Sequence, residues 1–267
     1  RVDYPHARAY DCEETPVIFS QNAHLGDSLF CANWLRRVPG EHTFHVPAEW
    51  VDAIAELMAD RPNITIASVK DRPFESLDTW IAGSAALAKN VQWNHDKDIM
   101  GFVMQFHNAI GVIHELGGGY ESREDMLWDS ACIGPPKMKR KTIECLIINA
   151  GPQSGQCPEY DKIEMAELVT VPLVQRYGGG VVSGCGDDGI PKGYTLAEIG
   201  AMATMAKRII MVATGPGWVC WNPWARDAEK VVLLERQHLD FGPQDAPVHH
   251  CISAKEVREL ALELGWL

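Results

Sequence analysis

The sequence predicts an α/β protein built from two Rossmann-type units, on three observations. Strand-like apolar runs alternate with helix-like segments along the chain. Several of those runs end in polar or Gly-rich turns. A stretch rich in proline and basic residues, Gly134-Pro135-Pro136 followed by Lys137-Met138-Lys139-Arg140-Lys141, divides the chain near its middle. This places an N-terminal unit at 1–136 and a C-terminal unit at 137–267, with a cleft between facing strand ends. One long doubly wound sheet is the alternative arrangement. The chain has 267 residues, of which 46% are apolar and 22% charged, so it can bury a sizeable core.

In the first unit, Pro16-Val17-Ile18-Phe19 reads as a buried strand, and Leu29 to Arg37 as an amphipathic helix ending in basic residues. Thr43 to Val46 reads as a second strand, Glu49 to Ala59 as a helix and Ile64 to Ala67 as a third strand. Lys70 to Asn94 fits no single pattern. Asp98 to Leu116 is a long helical segment stopped by Gly117-Gly118-Gly119. In the second unit, Glu144 to Asn149 is a strong strand, Tyr160 to Gln175 a helix and Gly180 to Ser183 a strand. Thr195 to Ala206 is a helix, and Ile209 to Val212 and Val231 to Leu234 are strands. Ser253 to Leu264 closes the chain as a helix, with Ser253 as N-cap and Glu256 at the capping-box position.

The most informative stretch is Gln21-Asn22-Ala23-His24-Leu25-Gly26-Asp27-Ser28, between the first strand and the first helix. In open α/β sheets such a turn lies at the carboxyl edge of the strands, where ligands bind. Gly26 permits a close backbone turn. Asp27 falls near a helix N-terminus, a place suited to a general base or to a simple helix cap. His24 is a second candidate base, with a hydrogen-bonding structural role as its alternative. Three further turns are Gly-rich: Gly151 to Gly155, Gly184 to Gly189 and Gly215 to Gly217. Backbone N–H groups at such turns bind phosphate well. None ends in Gly-Lys-Ser/Thr and none is a dinucleotide fingerprint opening a helix.

These segments, in this order, resemble the heptosyltransferase-like glycosyltransferases, whose fold is GT-B: two facing Rossmann-type domains. That family has a Leu-Gly-Asp turn after its first strand, matched by Leu25-Gly26-Asp27. Its second-domain entry is matched by Asn149-Ala150-Gly151 and Cys157-Pro158, and its Gly-rich strand end by Val181 to Gly186. Its Ser/Thr-Leu-x-Glu helix start is matched by Thr195-Leu196-Ala197-Glu198. Its Asp-Ser/Thr-Gly-Pro-x-His turn is matched by Ala213-Thr214-Gly215-Pro216-Gly217-Trp218, with Ala213 in the Asp place and Trp218 in the His place.

The resemblance implies an inverting, metal-independent transfer of sugar from a nucleotide-sugar donor, with Asp27 as base. It implies donor contacts from Gly26, Asn149, Gly151, Gln153, Ser154, Gly186, Glu198, Thr214, Gly215, Pro216 and Trp218. Glu198 would hold ribose hydroxyls or be a plain first-turn acid. Trp218 would stack on a base or sugar, or join Trp221 and Trp224 in a buried helix face. No cofactor beyond the donor is implied. The acceptor is a glycan or a hydroxymethylated pyrimidine in DNA of the phage type. A non-catalytic nucleotide- or sugar-binding module is the competing class, and a Rossmann oxidoreductase a third.

Charge and cysteine usage narrow these classes. A formal net charge of −12 argues against a polyanion binder, though Arg36, Arg37, Arg123 and Lys137 to Lys141 could form a local patch. The eight cysteines include no Cys-x-x-Cys pair, which suggests a reduced, cytoplasmic protein. No stretch reaches the roughly 18 apolar residues of a membrane span, and Arg1 to Thr15 does not read as a signal peptide. His249-His250-Cys251 reads as a loop rather than a zinc site, and Asp187-Asp188 as a turn.

Overall fold

Parallel strand pairing begins at the apolar run after Pro16. The computed structural model describes residues 16–22, 24–71, 73, 76–79, 99–129, 142–149, 157, 181–183, 194–233, 243 and 246–266. Strand β1 (Val17–Ser20) pairs with β2 (His42–Val46) on one side and with β4 (Leu77–Asp78) on the other, and β2 pairs with β3 (Ile64–Ser68). The first sheet therefore has the order β3-β2-β1-β4. Its helices are α1 (Leu25–Leu35), α2 (Val51–Leu57), α3 (Ile99–Ile113) and α4 (Arg123–Trp128).

The second sheet holds β5 (Ile143–Asn149), β6 (Val181–Ser183), β7 (Ala206–Val212), β8 (Glu229–Leu233) and β9 (Val248–Cys251). Their order is β6-β5-β7-β8-β9, with every pair parallel. Helices α5 (Leu196–Met205), α6 (Gly215–Trp218) and α7 (Ala254–Glu263) accompany it. Its central strands are apolar on both faces, as a covered parallel sheet requires. Leu146, Ile148, Ile209 and Met211 face one core. Cys145, Ile147, Ile210, Val212, Val231 and Leu233 face the other, against Val257, Ala261 and Trp266 of the C-terminal segment.

The first of those cores is continuous with the core of the N-terminal sheet, which includes Phe19, Trp34 and Phe44. Lys230 lies on the same seam. It is fully buried, donates to the carbonyls of Ala225 and Ala228, and sits 5.3 Å from the ring centre of Trp128 and 5.6 Å from that of Trp221. Two carbonyls and two indole faces replace the water its ammonium gave up.

Five elements differ from the sequence reading. Helix α1 starts at Leu25, not Leu29, so Gly26 and Asp27 lie in its first turn rather than in a preceding loop. It is also buried nearly all round instead of amphipathic, because the second half covers the side that the first sheet leaves open. Gly215 to Trp218 is a short helix with Pro216 in its first turn, not an open turn. His249-His250-Cys251 is not a loop but part of the edge strand β9, where polar residues are ordinary. Helix α4 was not foreseen. Ser253 caps α7 as expected, by accepting from the Glu256 amide, but the Glu256 carboxylate accepts from Ile252 rather than from Ser253.

The five described cysteines, Cys31, Cys145, Cys157, Cys220 and Cys251, are free and buried. Burial pushes the thiols of Cys145 and Cys220 up to about 12, so both remain protonated as small core side chains. Among the described residues no helix is long and apolar enough to cross a membrane. None of their His, Cys, Asp and Glu side chains form a group of three or more that could hold a metal ion.

Candidate functional site

Each sheet has one topological switch point, and the two switch points meet. In the first sheet the chain runs from β1 outward to β2 and β3, then returns to β4 on the other side of β1. In the second it runs from β5 to β6, then returns to β7 on the other side of β5. Crevices at such reversals, beyond the carboxyl ends of the strands, are where open α/β sheets bind ligands. Gln21, Asn22 and His24 to Asp27 lie beyond β1 at the first crevice. Asn149 ends β5, and Ala213 to Trp218 leave β7, at the second.

Contact between the two is close. A Cβ on Gly26 would lie 3.0 Å from Nε1 of Trp218, and a Cβ on Gly215 would lie 3.0 Å from the Leu25 side chain. The absence of side chains at residues 26 and 215 lets the two helix starts approach. The cleft expected between the units is closed at this contact.

Asp27 is the third residue of α1, with His24 as N-cap. Its carboxylate accepts from the His24 amide at 3.0 Å, the return bond of a capping box. Asp27 is thus the helix-side member of the box rather than the cap itself. Burial pushes its carboxyl up to about 6, against the smaller opposing effects of the His24 amide bond and the His24 charge. A carboxylate with that value is poised to take a proton near neutral pH. His24 itself is exposed.

Behind Asp27 lies a buried polar cluster that sequence reasoning missed. The Gln21 side-chain amide donates to the Ser28 hydroxyl, tying the end of β1 to the first turn of α1. Thr79, after β4, donates from both its amide and its hydroxyl to the Ser20 carbonyl. Cys31 and His107 both meet the Thr79 carbonyl, at 3.3 and 3.2 Å, and the His107 ring stacks on Trp34. Burial drives the His107 imidazole down to about 4, so it is neutral here. Gln21 left one signal, a polar residue directly after an apolar strand. His107 left only its place among Val103, Phe106 and Ile110 on the buried side of α3.

Five of the residues expected to contact a donor stand at the second switch point: Asn149, Thr214, Gly215, Pro216 and Trp218. Asn149 is buried at the end of β5. Thr214 is the N-cap of α6, 6% exposed, with its hydroxyl 3.4 Å from the Val212 carbonyl. Gly215 and Pro216 begin α6; Pro216 has no N–H to donate. Trp218 is buried against α1, and Trp221 beside it, so packing describes both rings. Glu198 stands at the start of α5, where its carboxylate accepts from the Thr195 amide at 2.8 Å and the Thr195 hydroxyl caps in return. The first-turn acid of the plain reading is what this carboxylate does. Gly151, Gln153, Ser154, Gly186 and Asp187-Asp188 lie outside the described residues, as does the basic run Lys137 to Lys141.

The three arginines considered for a nucleic-acid patch are engaged internally. Arg36 makes two bonds of 2.7 Å to Asp60, whose carboxyl it holds below the ordinary value. Arg37 reaches Asp129 and the Gly119 carbonyl and lies over Tyr120. Arg123 is buried beside Glu124. A cavity of about 610 Å³ lies between Arg37, Glu121, Asp125, Trp128 and Arg226. It belongs to the far end of α1, roughly 15 Å from Asp27 by helix rise, and carries charges of both signs.

The class these features define is an α/β fold of the GT-B-like kind, with two parallel sheets. Two solved structures of E. coli heptosyltransferase WaaC share it. The one with ADP-2-deoxy-2-fluoro heptose is 11% identical with a TM-score of 0.54, over 94% of this chain and 100% of that one. The one with ADP is 10% identical with a TM-score of 0.53, over 94% of this chain and 98% of that one. No protein-family model matches the sequence, and no curated protein matches it.

Proposed function

We propose that this protein is a glycosyltransferase that moves a sugar from a nucleoside-diphosphate donor to an acceptor hydroxyl, with Asp27 as general base. The observation that carries the reading is the meeting of the two switch points, one bearing a carboxyl raised to about 6 and the other the Thr214–Gly215 strand end. The Leu25-Gly26-Asp27 and Thr214-Gly215-Pro216 segments support it, and so do the ADP and ADP-sugar held by the proteins of like fold.

The acceptor oxygen attacks the anomeric carbon as the bond from that carbon to the diphosphate breaks. The hydroxyl proton passes to the Asp27 carboxylate, and the diphosphate leaves with the bonding electron pair. Backbone N–H groups at the second switch point offset its charge, so the scheme calls for no metal. In-line attack by one activated nucleophile inverts the anomeric centre. The donor contacts comprise Asn149, Thr214 and Gly215, with Gly151, Gln153, Ser154 and Gly186 completing the diphosphate cradle. The division into a donor-side unit at 137–267 and an acceptor-side unit at 1–136 is part of this reading. A glycan hydroxyl is the favoured acceptor over modified DNA, because Arg36, Arg37 and Arg123 are committed to internal carboxylates. The setting is cytoplasmic, in keeping with free, buried cysteines.

Thermal melting with UDP, GDP, ADP, CMP and their sugars, and with NAD as control, tests the donor site. A nucleoside diphosphate at about 100 times its Kd adds roughly 2.7 kcal/mol of stability, and NAD adds none. Equal shifts with NAD, or no shift with any diphosphate, would reject the donor assignment. Binding without turnover across an acceptor panel would return the chain to the class of non-catalytic binding modules.

Thr214→Val keeps the shape of the strand end and removes one hydroxyl. Diphosphate affinity is expected to fall by roughly 10–100-fold, the worth of one hydrogen bond to a charged group. Unchanged affinity in calorimetric titration would leave Thr214 only its bond to Val212.

A further inference from the structure

Helix starts fray unless something beyond the helix holds them. The first turn of α1 is held from the first sheet. Gln21, fully buried, follows β1, and its backbone amide donates to the His45 carbonyl of β2 at 3.0 Å. Its side-chain amide donates to the Ser28 hydroxyl, which is equally buried. That hydroxyl donates in turn to the His24 carbonyl at 3.3 Å, which the Ser28 amide also reaches, at 3.1 Å. His24 then donates from its own amide to Asp27 Oδ2 at 3.0 Å.

A serine inside a helix commonly donates to the carbonyl four residues back. This one also accepts, and the group it accepts from is anchored in the sheet. With its acceptor side turned to Gln21, the hydroxyl directs its proton to His24. His24 is thereby fixed at its carbonyl end by Ser28 and at its amide end by Asp27. Among the described residues no donor reaches the other Asp27 oxygen, Oδ1. The half-buried carboxylate thus has one oxygen bound and one left to take a proton.

We propose that Gln21 and Ser28 are positioning residues of the transfer site: a relay of hydrogen bonds, running from the end of β1 through the His24 backbone, fixes which way the Asp27 carboxylate points. This rests on the glycosyl-transfer reading above. Both residues act on Asp27 through His24 and are assigned no contact with substrate. The relay gives a task to a buried glutamine at a strand end, where an apolar residue would have served the core as well.

The test is a mutant cycle read by transfer kinetics and by hydrogen exchange of the His24 amide in the free protein. Ser28→Ala removes the hydroxyl, and Gln21→Met removes its donor at nearly constant size. Each is expected to lower kcat by roughly 10-fold, within the cost of a misplaced catalytic group, and to leave the donor KM as it is. The double variant is expected to lose no more than Ser28→Ala alone, because both break one relay. In the Asp27→Asn background neither substitution should lower the residual transfer, since no carboxylate remains to be aimed. His24 amide exchange is expected to quicken by roughly 10-fold in both single variants, as its bond to Asp27 opens more often. Ser28→Thr returns a hydroxyl and should recover much of kcat and of the slow exchange. Unchanged kcat, or His24 exchange left slow, in either folded variant overturns the relay alone. So does an equal loss of transfer in the Asp27→Asn background, which marks a merely structural role. If Ser28→Ala does not fold, Gln21→Met carries the same readouts. Absence of transfer by the wild type from every nucleotide sugar overturns the glycosyl-transfer reading and this role with it.

Discussion

Asp27→Asn is expected to lower sugar transfer by roughly 10²–10⁴-fold, the usual worth of a general base, while leaving the fold intact. Asn has the size of Asp and an oxygen that can still accept from the His24 amide. What it lacks is a site for the acceptor's proton. Wild-type kcat/KM should rise as pH rises through about 6, where the carboxyl ionises, and that limb should vanish from the residual activity of the Asn variant. Near-normal transfer by Asp27→Asn would reject Asp27 as base and make His24 the next candidate.

The same substitution changes how stability depends on pH. The folded chain holds the Asp27 proton more tightly than the unfolded chain, so the stability this group contributes is complete below about 3.8 and lost as pH rises through about 6. His107 acts in the opposite sense. Its folded value of about 4 lies below the ordinary 6.5, so its contribution is complete above 6.5 and is lost as pH falls toward 4. In the wild type the two oppose each other between pH 4 and 6. In Asp27→Asn only the His107 effect remains, and the melting temperature should fall more steeply on acidification than in the wild type. Parallel melting curves for the two proteins across that range would contradict the burial of the Asp27 carboxyl.

Trp34→Ala is expected to cost about 3–5 kcal/mol, the range for removing a fully buried large aromatic. Trp34 is 0% exposed. It meets Phe19 edge-on at 5.8 Å and stacks on His107 at 5.1 Å, joining α1 to β1 and α3. Gly118, at a φ of 75°, packs beside it, where a Cβ would come within 3.3 Å of Nε1. No nearby group can collapse into the space left by an indole without moving a helix. The expected fall in melting temperature is roughly 6–20 °C, with Trp34→Phe losing less. A loss below about 1 kcal/mol in denaturant unfolding would show that α1 is not anchored through this ring.

Much of the fold was legible because parallel strands covered on both faces contain short apolar runs, as β1, β5, β7 and β8 do, and because the mixed strands β2 and β3 still carry alternating β-branched and aromatic residues. The start of α1 was not legible. Leu25-Gly26-Asp27-Ser28 has the composition of a turn, and its helical start is marked by a capping box in which Asp27 accepts from the His24 amide. The helix at Gly215 to Trp218 was hidden in the same way, since two glycines and a proline carry no helical propensity of their own. Strand β9 was hidden by His249 and His250, which break the apolar run; it lies at the edge of its sheet, where polar residues are ordinary.

The candidate site divides along similar lines. Asp27 and Thr214 could be picked out because each follows a strand in a recognisable local pattern. The burial that raises Asp27 could not, because it depends on how the chain folds around the first turn of α1 and not on the local pattern. His107 and Thr79 were invisible for a related reason: they meet only through the β1–β4 pairing, a contact that no local pattern records.

The most direct test of the central claim is a crystal structure of the protein with a nucleoside diphosphate bound. The account predicts the diphosphate at the carboxyl ends of β5 and β7, with phosphate oxygens against Thr214 and Gly215 and the His24–Asp27 turn facing the vacated sugar position. A diphosphate seated instead in the cavity between Arg37 and Arg226, or bound away from both switch points, would contradict it.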